Sequence, residues 1–233
     1  MSVRSMNSIL GLVAAFGVAV LLPPAGALAA KDPPPQVSPE GLQLTKSTKN
    51  RLVYMKPGAT FSQYGRLAIL DPLVEFEKDW QKDYNRSQTG LQGRVTDADV
   101  EKMKERLAAE FKKVFIDELQ GKGGYQVVDV AGPDVLVLRP ALLNVEVNAP
   151  DIMSAGIEHT VVRSAGQMTL YLEFWDSATN TLLARVMDAQ ADPDTMAQMG
   201  GRVTNKAAAD RILRKWATEL RERLDDVKAK PGS

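Results

Sequence analysis

Residues 96–139, TDADVEKMKERLAAEFKKVFIDELQGKGGYQVVDVAGPDVLVLR, decide the fold class, because the period of the apolar residues changes within them. Val100, Met103, Leu107, Phe111, Val114, Phe115 and Leu119 recur at helical spacing and define one buried stripe. Thr96-Asp97-Ala98-Asp99 is a capping box, with the Thr96 hydroxyl placed to accept from the amide three residues on. Asp97 and Asp99 sit at the positive end of the helix dipole. Gly121, Gly123 and Gly124 stop the helix. The segments 125–130 and 134–139 then read as strands flanking the turn Ala131-Gly132-Pro133, which predicts a hairpin.

Working outward, the second of these strands runs on through Leu143, Val145 and Val147. Met168, Leu170, Leu172 and Phe174 alternate with Gln167, Thr169, Tyr171 and Glu173, the pattern of a half-buried antiparallel strand. The turn at 176–180 leads to a partner strand carrying Leu182, Ala184 and Val186 on one face. After a loop at 189–202, a last helix has Ile212, Leu213, Trp216, Leu220, Leu224 and Val227 as its stripe. Upstream, Leu52-Val53-Tyr54-Met55 is a short apolar segment stopped by Lys56-Pro57-Gly58. Residues 67–76 read as a strand in which Pro72 marks a bulge or bend. The order predicts an α+β two-layer sandwich over 51–228, with a mixed, mostly antiparallel sheet of about five strands and both helices on one face.

The ends read differently. Arg4, the apolar run 9–22, Pro23-Pro24 and the small residues at 25–29 form a cleavable secretory signal, with the cut after Ala29 or Ala30. The run is shorter than the roughly 20 apolar residues of a spanning helix, so no transmembrane span is expected in the mature form. Residues 30–50, with Pro33-Pro34-Pro35, read as a disordered tether, and 229–233 as a disordered tail. The chain has no cysteine, which excludes disulfides, thiol chemistry and lipid attachment after the signal. Its 29 basic and 29 acidic residues give no basic footprint for nucleic acid. The predicted location is the periplasm.

No chemical motif stands out. His159 is the only histidine and has only the adjacent Glu158 beside it, so neither a triad nor a multi-histidine metal site is formed. Asp188, Asp192 and Asp194 offer hard oxygen ligands, but their spacing is not that of an EF-hand. Met196 and Met199, with Met153 and Met187 elsewhere, read as packing residues against a Cu(I) alternative. Gly121-Lys122-Gly123-Gly124 follows a helix, whereas a phosphate cradle precedes one. Ser62, Ser154 and Ser164 have no histidine near them in sequence. These observations call for no cofactor and point away from catalysis.

The polar stretch 77–94 is long for a connection and carries Trp80 and Tyr84 four residues apart. Aromatics flanked by charge suit a partner-binding surface. The competing reading has Trp80 folding back over the sheet edge. The functional expectation is a non-catalytic accessory module that contacts another envelope component. The alternative is a periplasmic enzyme or metal-binding protein using Asp188, Asp192 or His159 at a sheet end.

Three stretches resemble the bacterial envelope lipoproteins of the DUF3313 family. They are Val53 to Tyr64 leading into Ile69-Leu70-Asp71-Pro72, Tyr125 to Leu136, and Glu173 to Asp188 with Trp216-Ala217 and Leu220 to Leu224. The resemblance implies an envelope setting and brings no functional residues, since the family has no established activity. The missing lipidation cysteine departs from the lipoprotein pattern.

Overall fold

Thr96 caps the helix that its sequence predicts. Its hydroxyl accepts from the Asp99 amide at 3.2 Å, and the Asp99 carboxylate accepts from the Thr96 amide at 3.0 Å. This computed structural model describes residues 33–88, 94–147, 160–162, 166–191, 198–200 and 202–229. The described helices are α1 (Trp80–Ser87), α2 (Asp97–Gln120) and α3 (Arg202–Ala229). The strands are β1 (Gln43–Ser47), β2 (Arg51–Met55), β3 (Arg66–Ile69), β4 (Leu73–Phe76), β5 (Gln126–Val127), β6 (Val135–Val147), β7 (Thr160–Val162), β8 (Gly166–Asp176), β9 (Thr181–Ala191) and β10 (Gln198–Gly200).

Eight strands form one mixed sheet in the order β1-β2-β9-β8-β6-β3-β5, with β4 also on β6. β7 and β10 make a separate antiparallel pair. The fold is therefore mixed α and β, but the expected count of five strands and two helices is too low. Pro72 explains one difference: residues 67–76 divide at Leu70-Asp71-Pro72 into β3 and β4, and both pair with β6 in parallel. A proline supplies no amide to the ladder, so the strand breaks where it stands.

The predicted hairpin at 125–139 is also corrected. β5 and β6 do not pair with each other, because β3 lies between them and runs parallel to both. The Ala131-Gly132-Pro133 turn thus steps over a neighbouring strand. The hairpin predicted at 176–180 does form, with Tyr171 opposite Met187 and Leu172 opposite Val186.

One face of the sheet carries the main core. Leu136, Leu138, Leu142, Leu170, Leu172 and Phe174 meet Phe111, Val114 and Phe115 of α2 and Ile212, Leu213 and Trp216 of α3. α2 lies against β4 and β5, α3 lies against β8, and the two helices pack on each other. Arg221 of α3 donates to the carbonyls of Glu118, Leu119 and Gly121, satisfying the end of α2. Gly124 follows at a close approach: a Cβ there would lie 2.1 Å from the Leu119 carbonyl oxygen.

The opposite face departs most from expectation. The tether expected at 30–50 is ordered from Pro33 and folds across the sheet. Residues 36–44 double back on themselves, with Leu44 N–H donating to Gln36 C=O, and continue into β1, which pairs with β2. Leu42 is only 1% exposed and packs with Leu52, Tyr54 and Leu182. The polar positions of β8, read as solvent-facing, are buried here: Thr169, Tyr171 and Glu173 are all inside. Leu42 and Leu44 alternate over only two positions in a polar stretch, too short a run to announce a strap of this kind.

A groove beside the last helix

The two helices do not cover the whole sheet. Beside α3, over β2 and β9, a groove of about 710 Å³ remains. Its floor is Val53 and Met55 of β2, Ala184 and Val186 of β9, and deeper Leu172 and Phe174 of β8. Register aligns these side chains: Val53 lies opposite Val186 and Met55 opposite Ala184, so both pairs face the helix side. Leu220, Leu224 and Val227 form the wall on α3. The volume falls within the range of small-molecule clefts, and the lining is mainly apolar.

A polar cluster closes one end. Asp188 is 1% exposed, and Arg51 lies opposite it on β2. One Asp188 carboxylate oxygen accepts from the Arg51 guanidinium and, at 2.9 Å, from the Trp216 indole N–H, while Gln190 donates to the other at 3.1 Å. Arg51 also pairs with Glu219 of α3. Desolvation pulls the Arg51 pKa down, but its bonds to Asp188 and Glu219 outweigh this and leave it above the ordinary value. The cluster ties β2, β9 and α3 together at fixed spacing. It holds the groove open without leaving Asp188 an unoccupied oxygen.

A second cluster lies under the strap on the other face. Glu173 accepts from the Tyr171 hydroxyl at 2.7 Å, from Arg185 at 2.9 Å and from the Trp175 indole at 3.1 Å. Glu40, reaching in from the strap, takes the other side of Arg185 at 2.8 and 3.1 Å. The Arg185 bonds pull the Glu40 carboxyl down to about 2 from 4.5. Burial, and then the bond to Glu173, push the Tyr171 hydroxyl up. Neither Arg185 nor Glu173 carries a chemical motif, and both fall on the polar face of strands whose pattern reads as half-buried. The only available signal was their opposite charge across the β8–β9 hairpin, where they lie directly opposite each other.

The residues singled out from the sequence are dispersed. Trp80 is 7% exposed, lies 4.6 Å from the Phe76 ring centroid, and donates to the Val147 carbonyl at 3.1 Å. Tyr84 is half-buried and stacks on Trp80 at 5.9 Å. The stretch that holds them includes α1, not a plain loop, and Asn85 bonds both backbone groups of Val95 just before α2. Met187 packs beside the strap cluster, and Ser62 is half-buried in a turn. His159, Asp192, Asp194, Met153, Met196, Ser154 and Ser164 lie outside the described residues, as does the side chain of Met199. Among the described residues, no group of three or more acidic or histidine side chains converges as a metal site would need.

The family model described as "Protein of unknown function (DUF3313)" matches residues 36–220. The chain belongs to the DUF3313 family. The matched span begins inside the strap and ends in α3, so the DUF3313 unit includes both faces of the sheet. Among curated proteins, none matches this chain. Of solved structures, protein XCC0632 from Xanthomonas campestris is similar at a TM-score of 0.39 and 13% identity, covering 77% of this chain and 94% of that one. The PelC dodecamer from Paraburkholderia phytofirmans is similar at 0.37 and 10%, covering 73% and 97%. Likeness at that level transfers neither partner nor activity to this DUF3313 protein.

Proposed function

We propose that this protein is exported and works in the periplasm as a non-catalytic accessory module, contacting another envelope component through the groove beside α3. The groove is the observation that carries the reading. It joins an apolar floor to a rim of charged side chains, and the Arg51–Asp188 cluster holds its walls in register. The leader through Ala29 supports export. The contact expected at Trp80 and Tyr84 would now fall mainly to Tyr84, since Trp80 serves the interior. The enzymatic alternative draws little support from Asp188, whose oxygens are engaged by Arg51, Trp216 and Gln190.

The test is site-specific photocrosslinking in intact cells of the native host, with the probe at Val53 in the groove and, separately, at Tyr84. Crosslinks from Val53 to one envelope component, on a processed chain recovered with the periplasmic fraction, are expected. An unprocessed chain in the cytoplasm, or crosslinks from Tyr84 alone, would overturn the reading.

A further inference from the structure

Strand and helix widths define the shape of what is missing. Seven strands side by side, with about 4.8 Å between neighbours, span about 29 Å from the first to the last. Two packed helices, each about 10 Å wide, cover about 20 Å of it. They lie toward β4, β5 and β8, so the uncovered strip falls over β2 and β9 and is about one helix wide. The groove follows α3 from Trp216 to Val227, about 16 Å at the helical rise.

The charges on its two banks differ. On the α3 bank, Glu219, Glu222 and Asp226 stand against one base, Arg223, which lies 3.8 Å from Asp226. On the sheet bank, Lys46 and Arg51 stand against Asp188. Arg51 is already shared between Asp188 and Glu219, and Arg223 lies beside Asp226, which leaves exposed Glu222 and exposed Lys46 as the outward-facing charges of the two banks. One bank is acidic and the other basic. An amphiphile with a single charged head group can complement only one of them and leaves the other bank unmatched.

Taking the groove as the contact site proposed above, we infer that its partner is an amphipathic helix. Its apolar stripe lies along Val53, Val186, Leu220 and Leu224, its basic flank faces α3, and an acidic flank faces Lys46. This is the helix-in-groove mode, in which buried apolar area gives affinity and the flanking charges set orientation. The docked helix would occupy the place of a third member of the helical layer.

The test uses the purified mature chain and two labelled 18-residue helical peptides, read by fluorescence anisotropy. Both carry leucine at the stripe positions. One has lysine on one flank and glutamate on the other; its counterpart has glutamate on both flanks, so that in either direction an acidic flank meets the acids of α3. The first is expected to bind in the orientation the banks allow, and the double charge reversal Glu222→Lys with Asp226→Lys to weaken it about tenfold at low salt. Both positions are solvent-exposed, so the variant keeps its fold, which circular dichroism checks. Leu220→Asp should abolish binding. Equal binding of the two peptides, or binding indifferent to the charge reversal, would overturn the inference. So would a dansyl-labelled fatty acid that competes for the groove and binds more tightly than either peptide. If Val53 crosslinks to an envelope component in cells while neither peptide binds, the accessory reading stands and the helical partner is wrong. If the peptide binds as expected and no envelope crosslink forms, the groove chemistry stands and the accessory reading falls.

Discussion

Replacing Glu40 by glutamine should loosen the strap without unfolding the domain. The Glu40 carboxyl is held near 2 against an ordinary 4.5, chiefly by its bonds to Arg185. A shift of that size corresponds to about 3 kcal/mol at full strength. The Glu40 side chain is 43% exposed, so solvent screening reduces this to about 1 kcal/mol. Arg185 keeps Glu173, so the variant strands no buried charge. A local loss of 1 kcal/mol is about a fivefold rise in opening.

The sign of the pH effect follows from the lowered pKa. The contribution is present above 4.5 and is lost as pH falls through 4.5 toward 2. Hydrogen exchange at pH 7 should therefore show about fivefold lower protection at the amides of Leu42 and Leu44, which bond within the strap, while amides of β8 hold. In the wild type the same amides should lose protection between pH 4.5 and 2, and in Glu40→Gln that acid response should vanish. Unchanged strap protection at pH 7, or an acid response identical in both proteins, would refute the reasoning.

Removing the other partner should cost more. Arg185→Met leaves Glu173 buried with the Tyr171 and Trp175 donors and only Arg139 as a cation, at 3.9 Å, so a loss of about 3 kcal/mol in urea denaturation is expected. Thr96→Ala removes the hydroxyl half of the capping box and leaves the backbone N–H of residue 96 to donate to Asp99, so it should lower stability by about 1 kcal/mol, measured by thermal melting followed at 222 nm. Phe111→Ala empties a fully buried site stacked on Phe115 at 3.9 Å and should cost about 4 kcal/mol in the same urea assay.

Local chemistry and period were enough to place α2, α3 and the β8–β9 hairpin. A capping box satisfies donors within one turn, a helical stripe is visible over several turns, and a five-residue turn brings neighbouring strands together. An irregularity at Pro72 was legible for the same reason, since it depends on a missing amide at that residue, although 67–76 read as one bent strand and the structure has two. Residues 125–139 show where this stops. Both strands exist, but their separation by β3 is set by a segment about 60 residues upstream that no local pattern names.

The candidate site was less legible still. Val53, Val186 and Leu220 each read as core residues of their own elements. That they line an open groove depends on the width of the sheet relative to the two helices. Glu40 and Arg185 lie 145 positions apart, and neither residue type announces burial. What the sequence by itself determined was the class of the domain and its strongest elements, because periodicity and capping act within a few residues. Only the tertiary structure decided which strands are neighbours, that the strap buries a face patterned as polar, and that the described helices leave the strip over β2 and β9 uncovered. Those outcomes depend on distant segments competing for the same surface, where long-range pairing and packing outweigh local preference.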